Sequence, residues 1–166
     1  GNGGVLVSNA NGDQTSPRVS NFSGDNTIIV WEDARNGYTD AYYQILDGNG
    51  SSTLSDNGVS ACQGEWEVIK PRVKGDNGVA YVVWEDRRNG FTSDIYAQKI
   101  SSNGVTEWDN GFAISNADGG QAQPRLTSDG NGGVYFVWED SRNSDISGID
   151  IYAQHINSSS VFSHDD

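Results

Sequence analysis

The sequence predicts an all-β chain made of three four-stranded, antiparallel, propeller-like blades of about 53 residues each. The first observation is the motif Trp-Glu-Asp-x-Arg-Asn, which occurs three times and begins at Trp31, Trp84 and Trp138. The second is a composition with 21 glycines among 166 residues, since Gly, Asn and Asp supply the positive-φ residues of tight hairpins. A repeat of this length indicates a propeller or a solenoid.

Each repeat predicts four strands in the same order. In the first repeat a short strand opens at Pro17, because proline fits the first position of a strand. A β-branched strand follows at 27–31, a third at 40–46 and a fourth at 59–62, with Gly-Asp-Asn and Asn-Gly turns between them. The same order returns in the second repeat, and the third repeat ends without a convincing fourth strand.

The repeats divide the chain into five segments. We expect an orphan fourth strand and loop at 1–16, blade 1 at 17–63, blade 2 at 64–116, blade 3 without its fourth strand at 117–157, and an acidic tail at 158–166. Propellers close with four to eight blades, so three repeats fall short of a ring. We therefore expect an N-terminal strand at Val5, Leu6 and Val7 to complete the last blade of another chain.

Strand exchange predicts a homo-oligomer, either a closed six-blade ring or, where the geometry does not close, a polymer. Two alternatives remain open at this point. The chain, which begins at Gly1, is also consistent with a piece excised from a longer propeller or with a stand-alone three-blade unit.

The charge of the chain excludes several partners. A net charge of −13 disfavours nucleic acid and anionic membrane surfaces, and no apolar run approaches the length of a membrane helix. Cys62 stands alone, so no intrachain disulfide forms and a buried, inert thiol is expected. Six basic residues recur with the repeat and are expected to hold ion pairs inside the scaffold, namely Arg18, Arg35, Arg72, Arg88, Arg125 and Arg142.

The wording of the repeat is Pro-Arg, then Asp-Gly-x-Gly-Gly-Val-Tyr-x-Val-Trp-Glu-Asp, Arg-Asn-Gly and Asp-Ile-Tyr-Ala-Gln. It resembles the propeller repeats of large bacterial secreted and cell-surface proteins, over nearly the whole chain. The resemblance implies the fold and an extracellular or cell-surface location. The fold alone does not determine the function, because propellers host many different chemistries.

The motif also suggests a ligand site. An aromatic ring, an acid and a guanidinium within five residues can stack on a sugar ring and hydrogen-bond its hydroxyls, so glycans are candidate partners. The competing hypothesis, which we favour, makes the tryptophans blade-core anchors and the Asp-Arg pairs scaffold contacts. The candidate ligand residues are Trp31, Glu32, Arg35, Trp84, Glu85, Arg88, Trp138, Glu139 and Arg142.

Calcium is a candidate cofactor, although no Asp-Gly turn matches a complete EF-hand loop. The candidate ligands are the motif aspartates and those that open the third strands, namely Asp33, Asp40, Asp86, Asp94, Asp140 and Asp150. Glycosylation sequons begin at Asn21, Asn49 and Asn157.

These observations predict a non-enzymatic extracellular protein of structural or adhesive role that assembles by strand exchange. The alternative is a carbohydrate-binding lectin that uses the repeated motif, and a weaker one is the non-catalytic remnant of a glycoside-processing enzyme. No catalysis is predicted, because His155 and His164 have no nucleophile motif beside them.

Overall fold

A computed structural model describes residues 3–160 and 162, and in this part of the chain three antiparallel sheets form and no helix. The first sheet holds β1 (Gln14–Ser23), β2 (Asn26–Asp33), β3 (Asp40–Leu46) and β4 (Val59–Ser60). The second holds β5 (Val68–Asp76), β6 (Val79–Asp86), β7 (Asp94–Ile100) and β8 (Phe112–Ser115). The third holds β9 (Gln121–Ser128), β10 (Val134–Asp140) and β11 (Asp150–Ile156).

Strands pair in chain order within each sheet, so each sheet is a meander of hairpins. The predicted all-β class with antiparallel sheets is confirmed, and within the described residues the third sheet has three strands rather than four. No helix among these residues is long and apolar enough to cross a membrane.

The first strand of every sheet carries a bulge just before its proline. Ser16, Lys70 and Gln123 have φ values of 54°, 53° and 55°, and the pairing of each strand with its neighbour shifts register there. The prediction that Pro17 opens its strand is therefore wrong, because β1 begins three residues earlier, at Gln14. The bulge interrupts the ladder, so the missing N–H of proline costs no hydrogen bond.

The sheets pack face to face and form two cores. Tyr43 from the first sheet shares one core with Val82 and Trp84 from the second, and Val83 from the second sheet shares the other core with Phe136 from the third. The second sheet is therefore covered on both faces, which is why β6 is buried over seven of its eight residues.

The outward face of the third sheet is uncovered. Three residues on this face are exposed, whereas the residues at the equivalent repeat positions of the second sheet are buried under the third sheet. The exposed fractions are 46% for Tyr135, 38% for Val137 and 73% for Ile151, against 4% for Tyr81, 0% for Val83 and 0% for Ile95. At the opposite end of the row Val19 is 67% exposed.

The predicted strand at Val5, Leu6 and Val7 does not form within this chain, since residues 4–10 belong to no strand. The segment pairs with no strand among the described residues, and Val5 and Leu6 are exposed. It is nonetheless anchored, because the Asn9 backbone N–H donates to Asn57 Oδ1 (2.7 Å). The backbone N–H of Gln63, three residues after β4 (Val59–Ser60), makes the equivalent bond to Asn110 Oδ1 (3.1 Å).

Candidate functional site

The repeated motif folds into the same hydrogen-bonded cluster in every sheet. In the second sheet the Trp84 indole N–H donates to Asp86 Oδ2 (2.8 Å), and Arg88 donates to the same carboxylate through Nε (2.8 Å) and Nη2 (2.7 Å). The guanidinium also lies over the Tyr96 ring, 3.8 Å from its centroid. The equivalent clusters are Trp31, Asp33, Arg35 and Tyr42, and Trp138, Asp140, Arg142 and Tyr152.

This cluster is a buried part of the scaffold. Trp31, Trp84 and Trp138 are 3%, 0% and 4% exposed. A ring that stacks on a sugar needs an open face, and these rings have none, so the geometry supports the core-anchor hypothesis for them. The expected ion pairs of Arg35, Arg88 and Arg142 are present, each with the aspartate two residues earlier.

Hydrogen bonds favour the charged form of two motif carboxylates, Asp33 and Asp140. Burial raises the pKa of Asp33, but hydrogen bonds from Arg35 and Trp31 outweigh burial and leave the pKa below its usual value. The pKa of Asp140 is lowered by the same balance between burial and the donors Arg142 and Trp138. Both carboxylates are thus occupied by donors.

The second set of aspartates begins the third strands and pairs with the motif aspartates across the ladder. Asp40 is buried, which raises its pKa to about 6 against hydrogen bonds from the Cys62 thiol and the Ala41 N–H. Cys62 is buried as expected, and burial raises its thiol pKa. No group of three or more carboxylate, imidazole or thiol side chains converges among the described residues, so calcium binding remains a prediction without a preformed ligand set.

The motif glutamates point away from the tryptophan cluster and link one sheet to the next. Glu32 accepts the backbone N–H of Lys70 (2.7 Å), and Glu85 accepts that of Gln123 (2.8 Å), so each glutamate holds the bulge of the following sheet. Glu85 also pairs with Lys70 Nζ (2.9 Å). In the third sheet Glu139 is exposed. The nine candidate ligand residues therefore do not form one site: the tryptophans and arginines belong to the buried clusters, Glu32 and Glu85 hold bulges, and Glu139 is exposed.

The bulges bring a second set of charges together. Arg18, Arg72 and Arg125 follow the bulge prolines on β1, β5 and β9, strands that pack side by side. The expectation that these three hold ion pairs is wrong, since none of them makes a salt bridge among the described residues. They and Lys70 form, with Glu32 and Glu85, what we call the inner charged row. Its sequence signal was the Pro-Arg pair in every repeat, but the bulge that aligns the pairs was not predictable from it.

The sequons lie on the surface or at its margin. Asn21 and Asn49 are exposed, on β1 and in the turn after β3, and Asn157 is partly buried after β11. Glycosylation stays a prediction.

No protein-family model matches the chain, and no curated protein matches it significantly. Among solved structures, it is similar to the GH43 endo-arabinanase from Bacillus licheniformis, at 14% identity and a TM-score of 0.47, over 89% of this chain and 56% of that one. It is also similar to the α-L-arabinofuranosidase Arb93A from Fusarium graminearum, at 11% identity and a TM-score of 0.48, over 86% of this chain and 46% of that one. The chain thus spans about half the length of each (56% and 46%).

These neighbours contradict two predictions. One is an endo-arabinanase and the other an α-L-arabinofuranosidase, whereas the sequence predicted a non-enzymatic structural or adhesive protein with a lectin as the alternative. That functional prediction and the prediction of no enzymatic activity are withdrawn. At this identity the likeness itself concerns the fold and assigns no reaction to this chain.

Proposed function

We propose that the chain forms the substrate-binding part of a carbohydrate-active enzyme. In this proposal the sugar chain lies along β1, β5 and β9, the first strands of the three sheets. The observation that carries the proposal is the inner charged row, in which the cationic donors stand beside the carboxylates of Glu32 and Glu85. Sugar hydroxyls both donate and accept hydrogen bonds, so a surface with fixed groups of both kinds suits them. Glu32 is partly buried and is held by the Lys70 backbone N–H, whereas Glu85 is only 3% exposed and serves to hold the Lys70 ammonium group in place.

Calorimetric titration with an oligosaccharide panel that includes arabino- and galacturono-oligosaccharides tests this proposal. We expect saturable binding that Lys70→Ala weakens by about tenfold. The Lys70 ammonium group is held by Glu85 (2.9 Å), and its side chain is 38% exposed and therefore accessible to a sugar. Arg87→Ala is the matched control, since it removes the same charge from an exposed pair with Glu67. Absence of binding to every oligosaccharide, or an equal loss in both variants, would overturn the proposal.

We also propose that the third sheet gains a fourth strand along β11 and that residues 4–10 of a second copy supply it. The bond from the Asn9 N–H to Asn57 in the first sheet is equivalent to the bond that follows β4, from the Gln63 N–H to Asn110. Gly4 (φ +72°) matches Gly111 (φ +87°), whose position lies against Trp84 in the second sheet. The equivalent position beside Trp138 is an open cavity of about 420 Å³.

The uncovered faces support the same occupant. The outward face of the third sheet is exposed, whereas the equivalent face of the second sheet is covered by the third sheet. The first sheet of a second copy, with Val19 on its free face, would continue the row of packed sheets. Two copies that exchange the segment in both directions would combine six sheets in one ring.

Light scattering on the intact chain and on a variant lacking residues 1–9 measures this association. We expect a dimer that becomes a monomer in the deletion variant, and Leu6→Asp to have the same effect because a charge would enter the exchanged strand. Phe91→Asp, at a fully exposed loop residue, is the control and should leave the mass unchanged. A monomer in every sample would exclude strand supply by a second copy.

A further inference from the structure

Three arginines hold the same position on the first strands of neighbouring sheets, and none of them has a carboxylate partner in the part of the chain that the structure describes. The Nη1 atoms of Arg18, Arg72 and Arg125 donate to the carbonyl oxygens of the prolines before them, at 2.8, 3.0 and 2.9 Å. Arg18 and Arg125 are exposed and Arg72 is half-buried. None of the three forms a salt bridge within the described residues, although the chain carries 23 acidic side chains.

The three arginines lie on strands that pack against one another, which holds their positive charges near one another. Burial lowers the pKa of Arg72 first, and the positive charges of Arg18 and Arg125 lower it further, while Glu32 and Glu85 offset part of this effect. The packing of β1 against β5 and of β5 against β9 holds the groups together. A row of like charges of this kind is unfavourable in the free protein, and a bound anion would relieve the repulsion.

The contrast with the other repeated arginines shows that these three are not needed to neutralise the scaffold. Arg35, Arg88 and Arg142 each pair with a buried aspartate at 2.6–2.7 Å. Among the described residues, the guanidinium groups of Arg18 and Arg72 donate to one carbonyl oxygen each, and that of Arg125 donates to two. Guanidinium donors match carboxylate and sulfate oxygens in geometry as well as charge.

We propose that these three arginines bind the anionic groups of an acidic oligosaccharide, so that carboxylate or sulfate groups on the ligand meet successive guanidinium groups. The inference rests on the proposed function and names its ligand class. Because the whole chain carries a net charge of −13, the rest of the surface repels a polyanion and the row is the place where one is held.

The test compares three ligands by calorimetry: a galacturonic acid trisaccharide, a neutral arabinose trisaccharide and sodium sulfate. We expect the acidic trisaccharide to bind at least about tenfold more tightly than the neutral one at low salt. Arg18→Ala and Arg125→Ala should each weaken acidic binding about tenfold, weaken neutral binding by a clearly smaller factor because a hydroxyl carries no charge, and lower the sensitivity of acidic binding to added salt. Arg87→Ala is again the charge-matched control, and because Arg18 and Arg125 are exposed, both variants should keep the thermal unfolding midpoint.

The outcomes separate this inference from the function it rests on. Equal affinity for the acidic and neutral trisaccharides would overturn the inference and leave the proposed function standing. No binding of either would overturn both. Sulfate that binds as tightly as the acidic trisaccharide would show a site for a free anion and would overturn the assignment to a glycan. A loss of acidic binding in Arg87→Ala equal to that in Arg125→Ala would reduce the effect to net charge and would also overturn it.

Discussion

Replacing Trp84 by alanine is expected to lower the free energy of unfolding by about 3–5 kcal/mol. The ring is 0% exposed and sits in the core between the first and second sheets. Its removal leaves a cavity, and Asp86 loses the indole N–H donor, which lies at 2.8 Å. The adjoining Gly111 cannot fill the gap, because it has no side chain. Urea denaturation followed by circular dichroism measures the change.

Phe91→Ala is the matched control for the loss of an aromatic ring. Phe91 lies fully exposed in the loop between β6 and β7, so its replacement should change stability by less than about 0.5 kcal/mol. If Trp84→Ala lost as little as Phe91→Ala, the core-anchor role of the motif tryptophans would be excluded. The ligand hypothesis for these residues would then return.

The repeat made most of the fold predictable. The hydrophobic run before each Trp-Glu-Asp motif and the turn after it predicted the second strands. For the first sheet the predicted strand 27–31 differs from β2 (Asn26–Asp33) by at most two residues at either end, because local sequence determines strands and tight turns. The bulges at Ser16, Lys70 and Gln123 were not predictable, since their positive φ arises at residues without a turn signature. Strand β4 has two residues, against four in the predicted strand 59–62, because the length of a strand depends on its neighbouring strands as well as on local propensity.

The candidate site was predictable in its residues and not in its grouping. The triplicate Trp-Glu-Asp-x-Arg motif gave one set, but alternation along β6 sends Trp84 and Glu85 to opposite faces of the sheet. Glu85 therefore meets the bulge of the third sheet, a contact with Gln123 that spans 38 positions in sequence. Contacts between sheets depend on how the sheets pack, and composition and spacing do not determine that.

The Asp86 carboxylate tests whether the motif's ion pair stabilises the fold as strongly as its tryptophan does. Asp86→Ala is expected to cost about 3–5 kcal/mol, because a buried pair that loses one partner leaves the other charge uncompensated. The side chain of Asp86 is fully buried, and its loss removes the acceptor for Arg88 (2.7 Å), for the Trp84 N–H (2.8 Å) and for the Trp66 N–H (3.2 Å). Glu67→Ala is the control: its pair with Arg87 is as short (2.6 Å), but both side chains are at least 40% exposed, so solvent screening limits the loss to about 0–1 kcal/mol. A double-mutant cycle with Arg88→Ala measures the coupling, and losses of equal size in the two pairs would show that burial does not strengthen the motif's ion pair.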